Sequence, residues 1–151
     1  MYNNIVVGTD GSETAEVAVM HAATLAKFSD AKLHVVHAYQ PVSFSVAAMS
    51  ASSGGPVIDL DRLNAGIAES AGSVCDQALA TAKTLGVDVE THAVTGDPVD
   101  ALISVATSVS ADLLVVGNRG MTGKKRFILG SVPNKISHHA PCSLLIVDTT
   151  K

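Results

Sequence analysis

Asp112-Leu-Leu-Val-Val-Gly117-Asn-Arg-Gly120-Met-Thr-Gly123-Lys-Lys-Arg-Phe-Ile-Leu-Gly130-Ser131 has the form of a strand, a loop and the start of a helix in succession. Residues 112–116 are almost continuously aliphatic, the pattern of a strand covered on both faces. Glycines at 117, 120, 123 and 130 remove side chains where a backbone must approach a ligand closely or take positive φ. Charge adds a second signal. Between Asp112 and Asp148 there is no acidic residue, whereas Arg119, Lys124, Lys125, Arg126 and Lys135 are basic, in a chain of formal net charge -4. Unhindered N–H groups, cations and a helix beginning near Ser131 together suit an anion, phosphate above all. The alternative is a basic surface loop whose glycines serve only its turns.

Outward from this stretch, four more apolar runs occupy residues 4–9, 32–39, 87–94 and 143–148. Segments with helical periodicity separate them. In residues 12–28, Ala15, Ala18, Val19, Ala22, Leu25 and Ala26 share one face, Ser12 is placed to cap, and Glu13 and Glu16 suit the positive end of the helix dipole. A second helix is predicted over 60–85, with Leu63, Ile67, Val74, Ala78 and Leu85 on its inner face and Gly86 ending it. A third starts at Asp97-Pro98, cap and first helical position, and runs to about Ser110. A fourth covers 131–139 and stops before Pro141. Strands alternating with helices predict a single-domain α/β fold, an open parallel sheet with helices on both faces and right-handed crossovers. Residues 40–56, rich in Ser, Ala, Gly and Pro and without periodicity, read as a mobile loop that could serve as a lid, or as a disordered insertion.

Composition narrows the function classes. The 151 residues suffice for one domain with a substantial core, and 47% apolar against 16% charged residues argues against disorder. Aromatics at 3% and an acidic balance argue against a nucleic-acid partner. No apolar run approaches the roughly 20 residues that span a bilayer, so no membrane partner is expected. Residues 1–8 read as a first strand and not as a secretory signal, which gives the expectation of a cytoplasmic protein. Cys75 and Cys142 read as two reduced thiols, and no Cys/His spacing resembles a zinc site.

In an open parallel sheet, ligands bind outside the carboxyl ends of the strands where the strand order reverses. Two loops compete for that place: Gly8-Thr9-Asp10-Gly11-Ser12 and the glycine loop. If the strands before them are neighbours, both loops face one crevice. The glycine loop has neither P-loop spacing nor GxGxxG. No catalytic constellation is legible: there is no GxSxG, no HExxH and no carboxylate pair with an evident acid–base role. His21 falls on a helix, His34, His37 and His92 on strands, and His138-His139 at a helix end where cations are favoured. For Asp10 and Ser131, local turn or cap chemistry stands beside ligand binding as a reading.

The spacing Gly117-x2-Gly120-x9-Gly130-Ser131 resembles the nucleotide-binding signature of ATP-binding universal stress proteins. The opening Ile5-Val-Val-Gly-Thr-Asp10-Gly-Ser12-Glu is similar to that family's first strand and turn, and residues 131–147 to its last helix and strand. Length and element order match over essentially the whole chain. The resemblance implies a sheet of order 3-2-1-4-5, of the adenine nucleotide alpha hydrolase-like kind, binding ATP or another adenine nucleotide. Carried over, Thr9 and Asp10 would lie at the adenine and ribose side, and the main chain at Ala38 would read the adenine edge. Gly117, Asn118, Arg119, Gly120, Met121, Thr122 and Gly123 would wrap ribose and phosphates. Gly130, Ser131 and Val132 would bind phosphate. Mg²⁺ could accompany ATP with help from Asp10, though no protein metal site is implied. A homodimer through the last strand is also implied, and an apolar edge strand at 143–148 does need covering. The reading is a stress-linked regulator, or a nucleotide sensor or buffer, with ATP, AMP and cyclic AMP all open. The alternative is an enzyme that slowly hydrolyses ATP or transfers its phosphate.

Overall fold

Successive strand residues point to opposite faces, so a strand buried at every position must be covered on both sides. In the computed structural model, which describes residues 1–118 and 129–149, β1 (Asn4–Gly8) contains Ile5, Val6 and Val7, all completely buried. It sits at the centre of a five-stranded parallel sheet, bordered by β2 (Lys32–Tyr39) and β4 (Leu113–Gly117). Outside these lie β3 (Val89–Thr95) and β5 (Ser143–Val147), giving the order β3-β2-β1-β4-β5 predicted for the family. Both edge strands are more exposed than the centre.

Helices α1 (Glu13–Ser29) and α3 (Leu60–Lys83) cover one face, while α4 (Pro98–Ser108) and α5 (Ser131–His139) cover the other. Two caps read from sequence are in place. Ser12 Oγ accepts the Ala15 N–H at 3.2 Å to start α1, and Asp97 Oδ1 accepts the Val99 N–H at 2.9 Å to start α4, with Pro98 in its first turn. Caps of this kind contribute about 1 kcal/mol each. The inner face of α1 is built mainly of alanine (Ala15, Ala18, Ala22, Ala23 and Ala26), which lets its backbone approach the sheet closely. Cys75 is buried and Cys142 half-buried, both as free thiols, and burial pushes both up in pKa. Among the described residues no helix is long and apolar enough to cross a membrane.

Two details depart from the sequence reading. Residues 40–56 contain a helix, α2 (Phe44–Ser52), where an unstructured loop is predicted. The glycines and proline that suggest a loop, Gly54, Gly55 and Pro56, follow the helix, in which Ala47, Ala48, Met49 and Ala51 are good helix formers. None of its residues is buried, so it needs no apolar stripe and shows no periodicity. Its approach is tied to α3: the Val42 N–H donates to Asn64 Oδ1 at 2.8 Å, and Asn64 Nδ2 donates to the Val42 carbonyl at 3.1 Å.

The second departure is Leu63, which is 39% exposed and not on an inner face. The buried residues of α3 are Ala71, Cys75, Ala78 and Ala82, so none falls in its first eleven residues. A 24-residue helix is about 36 Å long, whereas β2 and β3 beneath it, of eight and seven residues, span roughly 23–26 Å. Because α3 must run back to the amino end of β3, the overhang falls on its first turns, beyond the carboxyl edge of the sheet.

Candidate functional site

Strand order reverses between β1 and β4, so the crevice for a ligand opens beyond Gly8 and Gly117. After β1 the chain turns sharply. The Thr9 N–H donates to the Val36 carbonyl at 2.9 Å, extending the ladder with β2 by one step. Gly11 adopts φ +80°, and a Cβ there would come within 3.0 Å of the Val74 side chain on α3. A side chain at that position is therefore opposed by both backbone and packing. Asp10 Oδ1 accepts the Ser12 N–H at 3.0 Å and the Ser12 hydroxyl at 2.5 Å. The turn chemistry considered for Asp10 is thus present, and it orients the carboxyl group at the head of α1. His37 had no role in the sequence reading. Its Nδ1 lies 3.0 Å from the Thr9 carbonyl and braces the turn from β2.

The end of β2 is exposed to the same crevice by strand parity. The Val36 carbonyl faces β1, while the Tyr39 carbonyl faces away and accepts the Gly96 N–H at 2.9 Å. Main-chain groups alternate in direction along a strand, so Ala38 directs its N–H and carbonyl towards the side of β1, after β1 has turned away at Thr9.

Across the crevice, β4 ends in Gly117 and Asn118. Val7 and Val115 are in register, which brings Gly117 level with Thr9. The Asn118 side chain is engaged locally. Its Nδ2 donates to Asp148 Oδ1 at 3.1 Å, and its Oδ1 accepts the Thr149 N–H at 3.1 Å and hydroxyl at 2.8 Å. The Asn118 carbonyl accepts the Gly130 N–H at 2.9 Å, joining the two ends of the glycine loop. Gly130 is the N-cap of α5 and Ser131 its first residue, so the capping reading for Ser131 does not hold. Gly130 has no side chain to cap with, and no other side chain among the described residues caps this helix. Ser131 is exposed and Val132 half-buried at the head of α5. Arg119, Gly120, Met121, Thr122 and Gly123 lie outside the described residues.

Two other features compete for attention. A groove of about 530 Å³ runs along Asp59, Arg62, Leu63, Gly66, Ile67 and Ser70. It has the volume of a ligand cleft, but it follows the overhang of α3 and shares no residue with the Thr9–Ser12 turn or the loop ends. The second is a cluster within the sheet. His34, only 3% exposed, places Nδ1 3.1 Å from His92 Nε2, beside the exposed Lys32–Glu90 ion pair of 2.7 Å.

Burial pushes the His34 imidazole below its ordinary pKa; His92 and Lys32 push the same way, against Glu90 and Asp88. The folded protein therefore holds His34 neutral, while the unfolded chain takes up a proton as pH falls through about 6.5. Stability from this group is present above that pH and is lost as pH drops towards the lowered folded value. The urea midpoint should fall between pH 7.5 and pH 5.5, and fall less in His34→Gln. An equal fall in both proteins would remove His34 from the account.

The universal stress protein family model matches residues 1–148. A universal stress protein of Mycobacterium tuberculosis is 36% identical over 157 aligned positions, covering 99% of this chain and 98% of its own. A universal stress protein solved in complex with cAMP is 35% identical, with a TM-score of 0.71 over 99% of this chain and 98% of that one. For the fold alone, UspA from Lactobacillus plantarum superposes with a TM-score of 0.78 at 24% identity, over 97% of each chain. With the family model spanning the sheet from its first strand to its last, this chain belongs to the universal stress protein family.

Proposed function

We propose that this chain binds an adenine nucleotide across the β1/β4 switch point and acts as a stress-linked regulator, or as a sensor or buffer of that nucleotide. The observation that carries the reading is a pair of backbone sites flanking the Asp10 turn that are unmet among the described residues. On one side the Ala38 main chain faces the space left by β1. On the other the N-terminus of α5 has no side-chain cap among the described residues and is held at the end of β4 by the Gly130–Asn118 hydrogen bond. The first suits the hydrogen-bonding edge of adenine, the second a phosphate. The cAMP complex of the relative at 35% identity supports the same ligand class.

In this reading Thr9 and Asp10 meet the adenosine moiety, and Gly117 and Arg119 to Gly123 wrap ribose and phosphates. Ser131 and Val132 donate N–H groups to phosphate, while the Gly130 N–H, expected from the sequence to do the same, is taken by the Asn118 carbonyl and Gly130 serves by leaving the head of α5 clear of a side chain. Asn118 anchors the loop and offers no free main-chain donor: its N–H is given to the Val147 carbonyl, its carbonyl accepts the Gly130 N–H, and its side chain is committed to Asp148 and Thr149. The basic run Lys124-Lys125-Arg126 favours a polyphosphate, with Mg²⁺ accompanying ATP. A second copy pairs through β5, whose outer edge carries no strand among the described residues. The reading is of a binder and not a hydrolase, because hydrolysis also needs a positioned water and base.

Calorimetry with ATP, AMP and cyclic AMP, each with Mg²⁺, tests it. A Kd on the order of micromolar corresponds to about 8 kcal/mol, and three charge-assisted hydrogen bonds at roughly 1.5–3 kcal/mol each do not reach it once the cost of association is subtracted, so burial of the adenine ring must supply the rest. Absence of heat with every adenine nucleotide would overturn the reading. ATP turnover that Asp10→Ala abolishes would replace it with an enzyme.

A further inference from the structure

Glu90 and His92 are two residues apart on β3 and so share a face of the sheet, and His34 on β2 is the register partner of Glu90. The pleat thereby brings together two imidazoles and a carboxylate drawn from positions 58 residues apart in sequence. Their ligand atoms all lie within 4.8 Å of one another, the only such His, Cys, Asp or Glu group among the described residues. His34 Nδ1 and His92 Nε2 are 3.1 Å apart, with Glu90 oxygens 3.9 Å from the first and 3.8 Å from the second. We propose that His34, Glu90 and His92 form a binding site for a divalent first-row transition ion of the zinc class, bridging β2 to the edge strand β3.

Ligand atoms held tetrahedrally at the 2.0–2.1 Å typical of zinc are about 3.4 Å apart. The two nitrogens are a few tenths of an ångström inside that spacing, and the carboxylate about half an ångström outside it. The Glu90 side chain is 48% exposed, so its rotation can close the difference. Its pair with Lys32 does not block this, because exposed ion pairs contribute little. A His–His hydrogen bond alone accounts for the 3.1 Å contact but not for the carboxylate facing both nitrogens.

Access and protonation also fit. His34 is sealed beneath, whereas His92 at 21% and Glu90 at 48% side-chain exposure leave the outer side open for the ion and for a water as fourth ligand. Burial keeps His34 in the neutral form that ligates metal. His34 Nε2 is buried without a partner. A metal-bound histidine normally donates its other N–H, so this site should bind about 10–100-fold more weakly than a fully supported one. The cluster is separate from the proposed nucleotide crevice: His34 lies two residues before Val36, the partner of the last residue of β1.

The test titrates Zn²⁺ into the full chain, without nucleotide, against a colorimetric chelator, and records thermal unfolding in parallel. The chain should take up one equivalent and unfold at higher temperature with Zn²⁺. His92→Gln and Glu90→Gln should each weaken uptake at least tenfold and remove the thermal shift. Replacing the exposed pair His138 and His139 by Gln should leave both unchanged, since that pair lies on α5. The proposal is overturned if the wild type takes up no Zn²⁺, if His92→Gln binds like wild type, or if the His138/His139 double variant loses the uptake. Far-UV circular dichroism of the variants confirms that they are folded, and His92 and Glu90 are exposed enough for these replacements to be tolerated.

Discussion

Gly117→Asp is expected to lower adenine-nucleotide affinity at least 100-fold while leaving the protein folded. Gly117 is the last residue of β4 and, by the register with β1, stands level with Thr9 at the mouth of the crevice. An aspartate there adds a carboxylate beside Asp10, where the proposed nucleotide carries its own negative charge. Two unit charges 4 Å apart repel by about 4 kcal/mol at an effective dielectric of 20, already near three decades of binding. The sheet pairing of Gly117 with Val147 is made by main chain and tolerates the change. Calorimetry and a urea curve on the same preparation check both halves. Ser131→Trp, which crowds the head of α5 from an exposed position, should act the same way. If affinity survives both substitutions, the crevice between β1 and β4 is not the nucleotide site.

The largest expected loss of stability is at Leu114. It is completely buried in the layer formed with α4 and α5, so Leu114→Ala should cost about 2–5 kcal/mol. For a domain whose net stability is about 5–15 kcal/mol, that is a large fraction. Leu63→Ala, the same deletion at a residue on the overhang of α3, should stay within about 0.5 kcal/mol. The contrast in urea midpoints separates the two leucines. Equal costs would mean that the first turns of α3 are covered in solution.

That contrast also marks where sequence reasoning succeeds. A run such as Leu113 to Val116 is apolar because both faces are covered, so the sequence carries the burial directly. Ser12 and Asp97 are legible as caps because the bond each makes is three or fewer residues away. Leu63 is misread because periodicity reports which side of a helix is apolar, not how far the sheet beneath extends. Helix α2 is missed for a related reason: with no buried face it has no period to detect.

The candidate site divides the same way. The positions of Thr9, Asp10, Ala38, Gly117 and Gly130 at strand ends and a helix start follow from element order. The bracing of Thr9 by His37 and the engagement of Asn118 with Asp148 and Thr149 depend on side chains meeting across strands, and no local signal announces them. The meeting of His34, Glu90 and His92 depends on β2–β3 register to a single residue. A shift of one residue would send one side of that pair to the opposite face.

The hydrogen bond from the Gly130 N–H to the Asn118 carbonyl makes the eleven residues from 119 to 129 a ring clasped at its base. The entropy of closing such a ring grows only logarithmically with its size, by about 0.6 kcal/mol for each doubling. Contour length is therefore a soft variable of this protein and the clasp a hard one. A change in the length of the span would therefore cost little at the strand and helix that anchor it, because the Gly130–Asn118 bond holds those two together.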